Sequence, residues 1–231
     1  MSFSPSDGIG ALRRERLRTA RLYFVCDARP DGNDPEPLLK AALDGGVDIV
    51  QLREKSGNLR TIERAAQTFR RVCDTYGVPF IVNDDPELAV SVRADGVHIG
   101  QDDISLEEAR RIVGSDGLIG LSTHSEQQIS DAARGDALPD HISVGPIWET
   151  PTKAGRAAVG LDLVSHAART TTLPFFAIGG IDSSNVGEVL AAGARRICVV
   201  RALRNAADPT AVAEHLRSAF AAVGEEIAPG G

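Results

Sequence analysis

The chain has 231 residues, of which 42% are hydrophobic and 25% charged, and its formal net charge is −7. This length and composition are typical of one large globular domain with a substantial core. The acidic balance argues against a nucleic-acid-binding protein, whose footprint is a basic face, and no apolar run reaches the roughly 18 residues of a membrane span. Neither nucleic acid nor a membrane is therefore expected as a partner.

The first residues are polar and lack the apolar core of a signal peptide. Arginines recur here, but Asp7 and Glu15 interrupt the basic stretch. That pattern favours an amino-terminal arm or leading helix over residues 1–20, rather than a transit peptide. A catalytic domain is predicted over residues 21–224 and a tail over residues 225–231.

Short apolar segments typical of buried strands alternate with helix-like segments eight times. The predicted strands span Leu22–Cys26, Asp48–Leu52, Phe80–Val82, Gly96–Ile99, Leu118–Leu121, His141–Val144, Phe175–Ile178 and Ile197–Val200. Apolar residues at three- and four-residue steps predict helices over Leu59–Tyr76, Leu106–Val113, Glu126–Arg134, Leu161–Ala168, Asn185–Ala192 and Pro209–Val223. Eight such units indicate an α/β fold, a single-domain (β/α)8 TIM barrel, with an open doubly wound sheet as the alternative.

The second predicted strand ends in Gln51, Leu52, Arg53, Glu54 and Lys55. Strand alternation places Gln51, Arg53 and Lys55 on one side. At the carboxyl end of a barrel strand this side faces the pocket, where two cations and an amide suit a polyanion and a heteroaromatic edge. A surface salt-bridge cluster is an equally good interpretation of the pattern alone.

Carboxylates follow the third and fourth predicted strands. Asn83 and Asp84 follow the third strand, and Asp103 follows the fourth. Neighbouring strands lie about 5 Å apart, so Asp84 and Asp103 can share one cation, and their oxygen ligands suit Mg²⁺. Asp85 and Asp102 compete for this role, and helix N-capping is the alternative for Asp84, Asp85 and Asp103.

Polar groups also follow the fifth and sixth strands. Ser122 can donate to substrate oxygens or begin a helix. Thr150, Thr152 and Lys153 belong to a connection that is long for this fold, and long ordered loops often carry function.

The last two strands end in a glycine pair and an arginine. Gly179-Gly180 follows the seventh strand and permits backbone N–H groups to approach a phosphate, and Val200-Arg201 ends the eighth. The loops after these two strands form the usual phosphate site of TIM barrels. A tight turn is the alternative for the glycine pair alone.

The histidines and cysteines are given structural interpretations. His98 is expected to be a core histidine, and strand or surface positions are expected for His141, His166 and His215. Reduced core cysteines in a cytoplasmic protein are expected at Cys26, Cys73 and Cys198.

In combination, these segments resemble the thiamine phosphate synthase family from about Leu22 to Leu203. The resemblance is carried by Gln51–Lys55, Asn83-Asp84, Gly96–Asp103, Ser122–His124, Gly145–Lys153 and Ala177–Ile181. Members of that family are (β/α)8 barrels that join 4-amino-2-methyl-5-(diphosphooxymethyl)pyrimidine to a thiazole phosphate, forming thiamine phosphate and diphosphate. The resemblance implies a transferase with small-molecule substrates and a Mg²⁺ cofactor. It is compatible with a homo-oligomer.

The resemblance also assigns roles to the matching residues. It implies that Asp84 and Asp103 bind Mg²⁺. It implies a pyrimidine diphosphate site formed by Gln51, Leu52, Arg53, Glu54, Lys55, Asn83, Ser122 and Lys153. The implied thiazole phosphate site comprises Thr150, Thr152, Gly180, Val200 and Arg201. The implied catalytic residues, which stabilise the departing diphosphate, are Arg53, Lys55, Ser122 and Lys153.

One departure from the family pattern matters for the site. The family usually has a serine where this chain has Arg201, whose guanidinium either grips the thiazole phosphate or crowds its pocket. Two rival functions remain, an isomerase like the family's thiazole tautomerase relatives and a non-catalytic thiamine-phosphate-binding protein. The paired Asp84 and Asp103 argue against the isomerase.

Overall fold

Eight parallel strands close into one barrel in a computed structural model that describes residues 8–54, 57–135, 137–150 and 157–225, with side chains to residue 221. The strands follow chain order: β1 (Leu22–Cys26), β2 (Ile49–Leu52), β3 (Phe80–Asn83), β4 (Gly96–Ile99), β5 (Leu118–Thr123), β6 (His141–Val144), β7 (Phe175–Ile178) and β8 (Ile197–Val199). Each strand pairs with the next, and β8 pairs with β1, where Cys198 lies opposite Tyr23. The TIM barrel prediction is confirmed.

Helices connect the strands and surround the barrel. Within the described residues they are α1 (Ile9–Thr19), α2 (Glu36–Asp44), α3 (Leu59–Tyr76), α4 (Pro86–Ser91), α5 (Leu106–Val113), α6 (Glu126–Ala132), α7 (Gly160–Thr170), α8 (Val186–Ala191), α9 (Arg201–Arg204) and α10 (Pro209–Glu225). In this part of the chain, no helix has both the length and the apolarity that crossing a bilayer would need.

The predicted boundaries differ from the structure by a few residues. Four strands and the helices α3 and α5 have the predicted bounds, whereas β5 continues two residues further, to Thr123. No bounds were predicted for α2, α4 or α9. Helix α9 is a single turn of four residues, so hydrophobic periodicity has little length over which to act there.

Alternation along each strand divides the core into two parts. Outward residues such as Phe24, Cys26 and Leu52 pack between the barrel and the helices. Inward residues fill the barrel itself and include Tyr23, Val25, Ile49, Ile81, Leu118, Phe176 and Cys198. The cysteines Cys26, Cys73 and Cys198 are buried and free, so the prediction that they lie in the core is confirmed.

Helix α1 packs against the amino-terminal ends of the strands. Its Leu17 joins the core inside the barrel. Arg13 Nε lies 2.8 Å from an Asp95 carboxylate oxygen before β4, and Arg14 Nε lies 2.7 Å from Asp140 before β6. Among the described residues, α1 makes its ion pairs at this end of the barrel only.

Candidate active site

A cavity of about 600 Å³ enters the barrel at the carboxyl ends of the strands. This volume is typical of small-molecule sites. All eight strands contribute to its lining, through Tyr23, Gln51, Asn83, His98, Ser122, Ser143, Phe176 and Cys198 among others. Most of the side chains that were singled out in the sequence therefore meet in one space.

An amide pair lies where β2 and β3 end. Gln51 is buried, and its Nε2 donates to Asn83 Oδ1 at 2.8 Å. Arg53 follows on the same side and lines the cavity, while its backbone N–H donates to the Cys26 carbonyl at 2.9 Å. The prediction that this side of the segment faces the pocket is therefore correct for Gln51 and Arg53.

The other residues of the segment lie elsewhere. Leu52 is buried among the outward-facing core residues, and Glu54 is not among the residues that line the cavity. Lys55 lies outside the described residues, as do Thr152 and Lys153.

The acidic residues after β3 and β4 divide into site and capping residues. Asp84, Asp102 and Asp103 line the cavity. Asp84 has a left-handed backbone (φ 63°), whereas Asp85 caps α4 by accepting from the Leu88 N–H at 2.8 Å. Capping is therefore the role of Asp85 and not of Asp84.

Asp103 is not a helix cap either. The residue that caps α5 is Ser105, and one Asp103 carboxylate oxygen accepts from the Gly100 N–H at 2.7 Å. This bond holds Asp103 in the turn after β4, beside the cavity.

Asp84 and Asp103 fit a magnesium ion better than a metal enclosed by protein ligands. In the described part of the chain, no group of three or more His, Cys, Asp and Glu residues could hold a metal. Mg²⁺ usually takes one or two carboxylates and completes its shell with waters and substrate phosphates. Two carboxylates at neighbouring strand ends, facing an open cavity, suit that chemistry.

A buried hydroxyl and imidazole cluster lies inside the barrel below these carboxylates. His98 Nε2 is 3.0 Å from Ser122 Oγ, and Ser143 Oγ is 3.5 Å from both atoms. Ser122 is a residue of β5 and does not begin a helix, because Ser125 caps α6. His98 is thus a hydrogen-bonded histidine in the barrel that also lines the cavity.

Four buried residues that were not predicted as site residues form the floor of the cavity. Tyr23, His141, Phe176 and Cys198 all line it, and each is nearly or fully buried. Burial lowers the pKa of His141 to about 4, with Asp140 opposing the shift and Arg196 adding to it. The inward position of Ser143, two residues after His141 in β6, was the available signal that His141 also points inward.

The connections after β6, β7 and β8 form the opposite wall. Gly179 and Gly180 have positive φ values of 108° and 75°. A Cβ at Gly179 would lie 2.5 Å from Pro146 Cα, and one at Gly180 would lie 2.9 Å from Trp148 Cβ. Both glycines are therefore required by their close approach to the loop after β6, and both line the cavity.

Three further residues of the predicted thiazole phosphate site line the same wall. Thr150, Val200 and Arg201 all contribute to the cavity. Arg201 is exposed and is the first residue of α9.

Comparison with known proteins identifies similar chains. The family model described as thiamine monophosphate synthase matches residues 22–203. A thiamine-phosphate synthase of Thermobifida fusca is 47% identical over 88% of this chain and 94% of its own length. Another, of Streptomyces avermitilis, is 49% identical over 87% and 94%. The solved structure of a thiamine phosphate pyrophosphorylase from Pyrococcus furiosus superposes with a TM-score of 0.79 at 29% identity, covering 91% of this chain and 98% of that one.

Proposed function

The chain belongs to the thiamine monophosphate synthase family, and we propose that it is itself a thiamine phosphate synthase. The proposed reaction joins the aminopyrimidine methyl diphosphate to a thiazole phosphate and releases diphosphate. One observation carries the proposal. A single cavity unites an amide pair, an arginine and two carboxylates at the ends of β2–β4 with a glycine turn after β7 on the opposite wall.

The amide pair complements one edge of the pyrimidine. The hydrogen bond between Gln51 and Asn83 uses the nitrogen of the first and the oxygen of the second. The Gln51 carbonyl can then accept from the 4-amino group, and the Asn83 amide can donate to ring nitrogen N3. This arrangement orients the ring with its reactive methylene towards the cavity mouth.

The diphosphate is placed beside Arg53 and the acidic residues. Asp84 and Asp103 would hold Mg²⁺, and the bound ion supplies positive charge to the leaving diphosphate. Arg53 lines the cavity here and adds charge-assisted hydrogen bonds to the same group. The resemblance adds Lys55 and Lys153 to this set.

The chemistry then needs orientation and charge more than proton transfer. The bond between the methylene carbon and the diphosphate oxygen breaks, and diphosphate leaves with the electron pair. The pyrimidine methylene cation is captured by the thiazole nitrogen, which forms the new C–N bond. The resemblance assigns Ser122 to the diphosphate side, and its hydroxyl lies 3.0 Å from His98 Nε2.

The thiazole phosphate is placed at the wall formed after β7 and β8. Gly180 and the Val200 backbone bring main-chain groups to this wall, and Thr150 adds a hydroxyl. Arg201 adds a guanidinium where the family usually has serine, and we assign it a contact with the phosphate. Leu52 and Glu54 belong to the pyrimidine site only through the continuity of their segment, and Thr152 through the resemblance.

The deciding experiment measures diphosphate release with each component omitted in turn. A synthase releases diphosphate only when both substrates and Mg²⁺ are present. An isomerase would instead convert a thiazole phosphate alone, and a binding protein would retain ligands without releasing diphosphate. The three buried free cysteines support a reducing compartment, and we place the enzyme in the cytoplasm.

A further inference from the structure

The floor of the cavity carries polar atoms that the proposed reaction does not use. Tyr23 of β1 is 2% exposed and His141 of β6 is 0% exposed. Among the described residues, the Tyr23 hydroxyl and both ring nitrogens of His141 have no hydrogen-bond partner. Buried polar groups are rarely left without partners, because their desolvation is then uncompensated. Since both residues line the cavity, a ligand that fills it can supply the partner.

Close packing fixes these groups in place. The Tyr23 and His141 rings lie 5.9 Å apart between centroids, and Phe176 meets them edge-on at 5.2 and 5.5 Å. Gly120 of β5 lies in register between His98 of β4 and His141 of β6. A Cβ at Gly120 would collide with both imidazoles, so these rings occupy the space that a side chain would fill.

The orientation of the pyrimidine, which rests on the proposed function, brings its far end to this floor. The reactive methylene is attached to C5, and C2 with its methyl group lies opposite across the ring. When the diphosphate is held at the mouth beside Arg53, C2 is therefore the deepest ring atom. The pair of Gln51 and Asn83 satisfies N3 and the 4-amino group, which leaves N1 as the remaining ring acceptor.

We propose that Tyr23 and His141 form a floor subsite that donates a hydrogen bond to N1 and packs around the 2-methyl group of the pyrimidine. The Tyr23 hydroxyl is a donor, and a neutral imidazole carries one N–H. Phe176 and Cys198 supply the apolar surface that the methyl group needs. The two polar residues thereby determine which heteroaromatic ring the enzyme accepts.

The first test removes a single hydroxyl. Tyr23→Phe is expected to weaken binding of the pyrimidine diphosphate about five- to ten-fold, the loss of one neutral hydrogen bond. Calorimetry with Mg²⁺ and without thiazole phosphate measures this binding. Inorganic diphosphate, which has no ring, should bind both proteins equally. The matched control is Tyr76→Phe, because the Tyr76 hydroxyl bonds Asp44 on the outer surface and should leave both affinities unchanged.

The second test changes the ligand and uses the wild-type protein. An analogue with CH in place of N1 should bind wild type about five- to ten-fold more weakly than the pyrimidine diphosphate. Tyr23→Phe or His141→Phe should discriminate less between the two compounds. Equal wild-type affinity for both compounds would overturn the proposal, even if neither variant folds. Equal loss of inorganic diphosphate binding in a folded variant would show a structural role and would also overturn it.

The two proposals fail in different ways. Absence of diphosphate release by wild type with both substrates and Mg²⁺ would refute the synthase reaction. The comparison of the two ring compounds is a binding measurement, so it reports on the floor subsite whether or not turnover occurs.

Discussion

Gln51 and Asn83 are joined by a side-chain hydrogen bond of 2.8 Å that links the ends of β2 and β3. The bond fixes the orientation of both amides, since turning either one would oppose two donors or two acceptors. The pair thus presents a fixed acceptor and a fixed donor to the cavity before any ligand arrives. Such pre-organisation lowers the entropic cost of binding.

Replacement of one member of this pair should affect one substrate. We expect Gln51→Met, which nearly preserves side-chain volume, to raise the KM for the pyrimidine diphosphate roughly ten-fold, because Asn83 also loses its partner. The KM for the thiazole phosphate should remain unchanged. Gln127→Met is the matched control, since the Gln127 amide contacts Asp131 on the exposed face of α6. A parallel rise in both KM values would point to a general structural effect.

The proposed metal ligands should be separable from their acidic neighbour. We expect Asp84→Asn and Asp103→Asn each to lower turnover by at least about 10²-fold, given the several kcal/mol that a bound metal contributes to charge stabilisation. Asparagine also tolerates the left-handed backbone at Asp84. Diphosphate release titrated with Mg²⁺ measures the effect, and undiminished wild-type turnover in EDTA would contradict it.

Asp85 supplies the internal control for that experiment. Because it caps α4 through the Leu88 N–H, Asp85→Ala should cost about 1 kcal/mol of stability. It should leave the Mg²⁺ dependence of turnover unchanged. A loss of turnover as large as that of Asp84→Asn would mean that Asp85 takes part in the metal site.

Arg201 tests the thiazole side of the cavity. If its guanidinium contacts the phosphate, Arg201→Ser should raise the thiazole phosphate KM about ten-fold and leave the pyrimidine diphosphate KM nearly unchanged. Arg169→Ser, at an exposed position in α7, is the control for loss of one surface charge. An unchanged or lowered thiazole phosphate KM would show that Arg201 does not grip the phosphate.

Buried His141 should make the fold sensitive to acid. Its pKa is about 4 in the folded protein and about 6.5 in an unfolded chain, so below pH 6.5 the unfolded state binds the extra proton. The free energy of unfolding should therefore fall by about 3 kcal/mol from this residue as the pH drops from about 6.5 to 4. Urea denaturation at several pH values measures the slope.

The residue responsible can be identified by substitution. His141→Phe should reduce the slope of stability against pH in this window, whereas the exposed His215→Phe should keep it. Equal slopes for wild type and His141→Phe would rule out His141 as the source of the acid sensitivity.

Asp95 should be important for stability and not for chemistry. It is 8% exposed, and its carboxylate accepts from the Phe80 N–H at 2.8 Å and from Arg70 and Arg13 at 2.7 and 2.8 Å. Burial alone would raise its pKa, but the Phe80 N–H and the arginines hold the pKa of Asp95 below its usual value. We expect Asp95→Asn to lower the free energy of unfolding by about 3 kcal/mol.

The matched control is a second aspartate that pairs with Arg70. Asp74 also pairs with Arg70, but its side chain is 66% exposed, so Asp74→Asn should change stability little. Chemical denaturation of both variants measures the difference. Comparable losses would mean that burial is not what makes Asp95 important.

The order and type of the barrel elements were predictable because eight apolar strands recur between helical segments. The direction of the side chains at the end of β2 was predictable too, since strand alternation correctly placed Gln51 and Arg53 towards the cavity. Alternation does not distinguish Asp84 from Asp85, because both follow the end of one strand. The left-handed backbone at Asp84 separates them, and the sequence does not reveal it.

The cavity floor was not predicted for a different reason. The depth of the cavity depends on which side chains lie next to one another inside the barrel. The register between neighbouring strands determines this. Gly120 lies between His98 and His141 only when β4, β5 and β6 are aligned. A glycine within a strand indicates that another group approaches the backbone closely, but it does not indicate which group.

The ion pairs of α1 have a consequence for the order in which the chain folds. Arg13 precedes Asp95 by 82 residues, and Arg14 precedes Asp140 by 126. At synthesis rates of about 5–20 residues per second, Arg14 waits on the order of ten seconds for its carboxylate partner. Helix α1 is therefore synthesised well before its ion-pair partners, and a nascent chain that ends before Asp140 carries α1 without that contact.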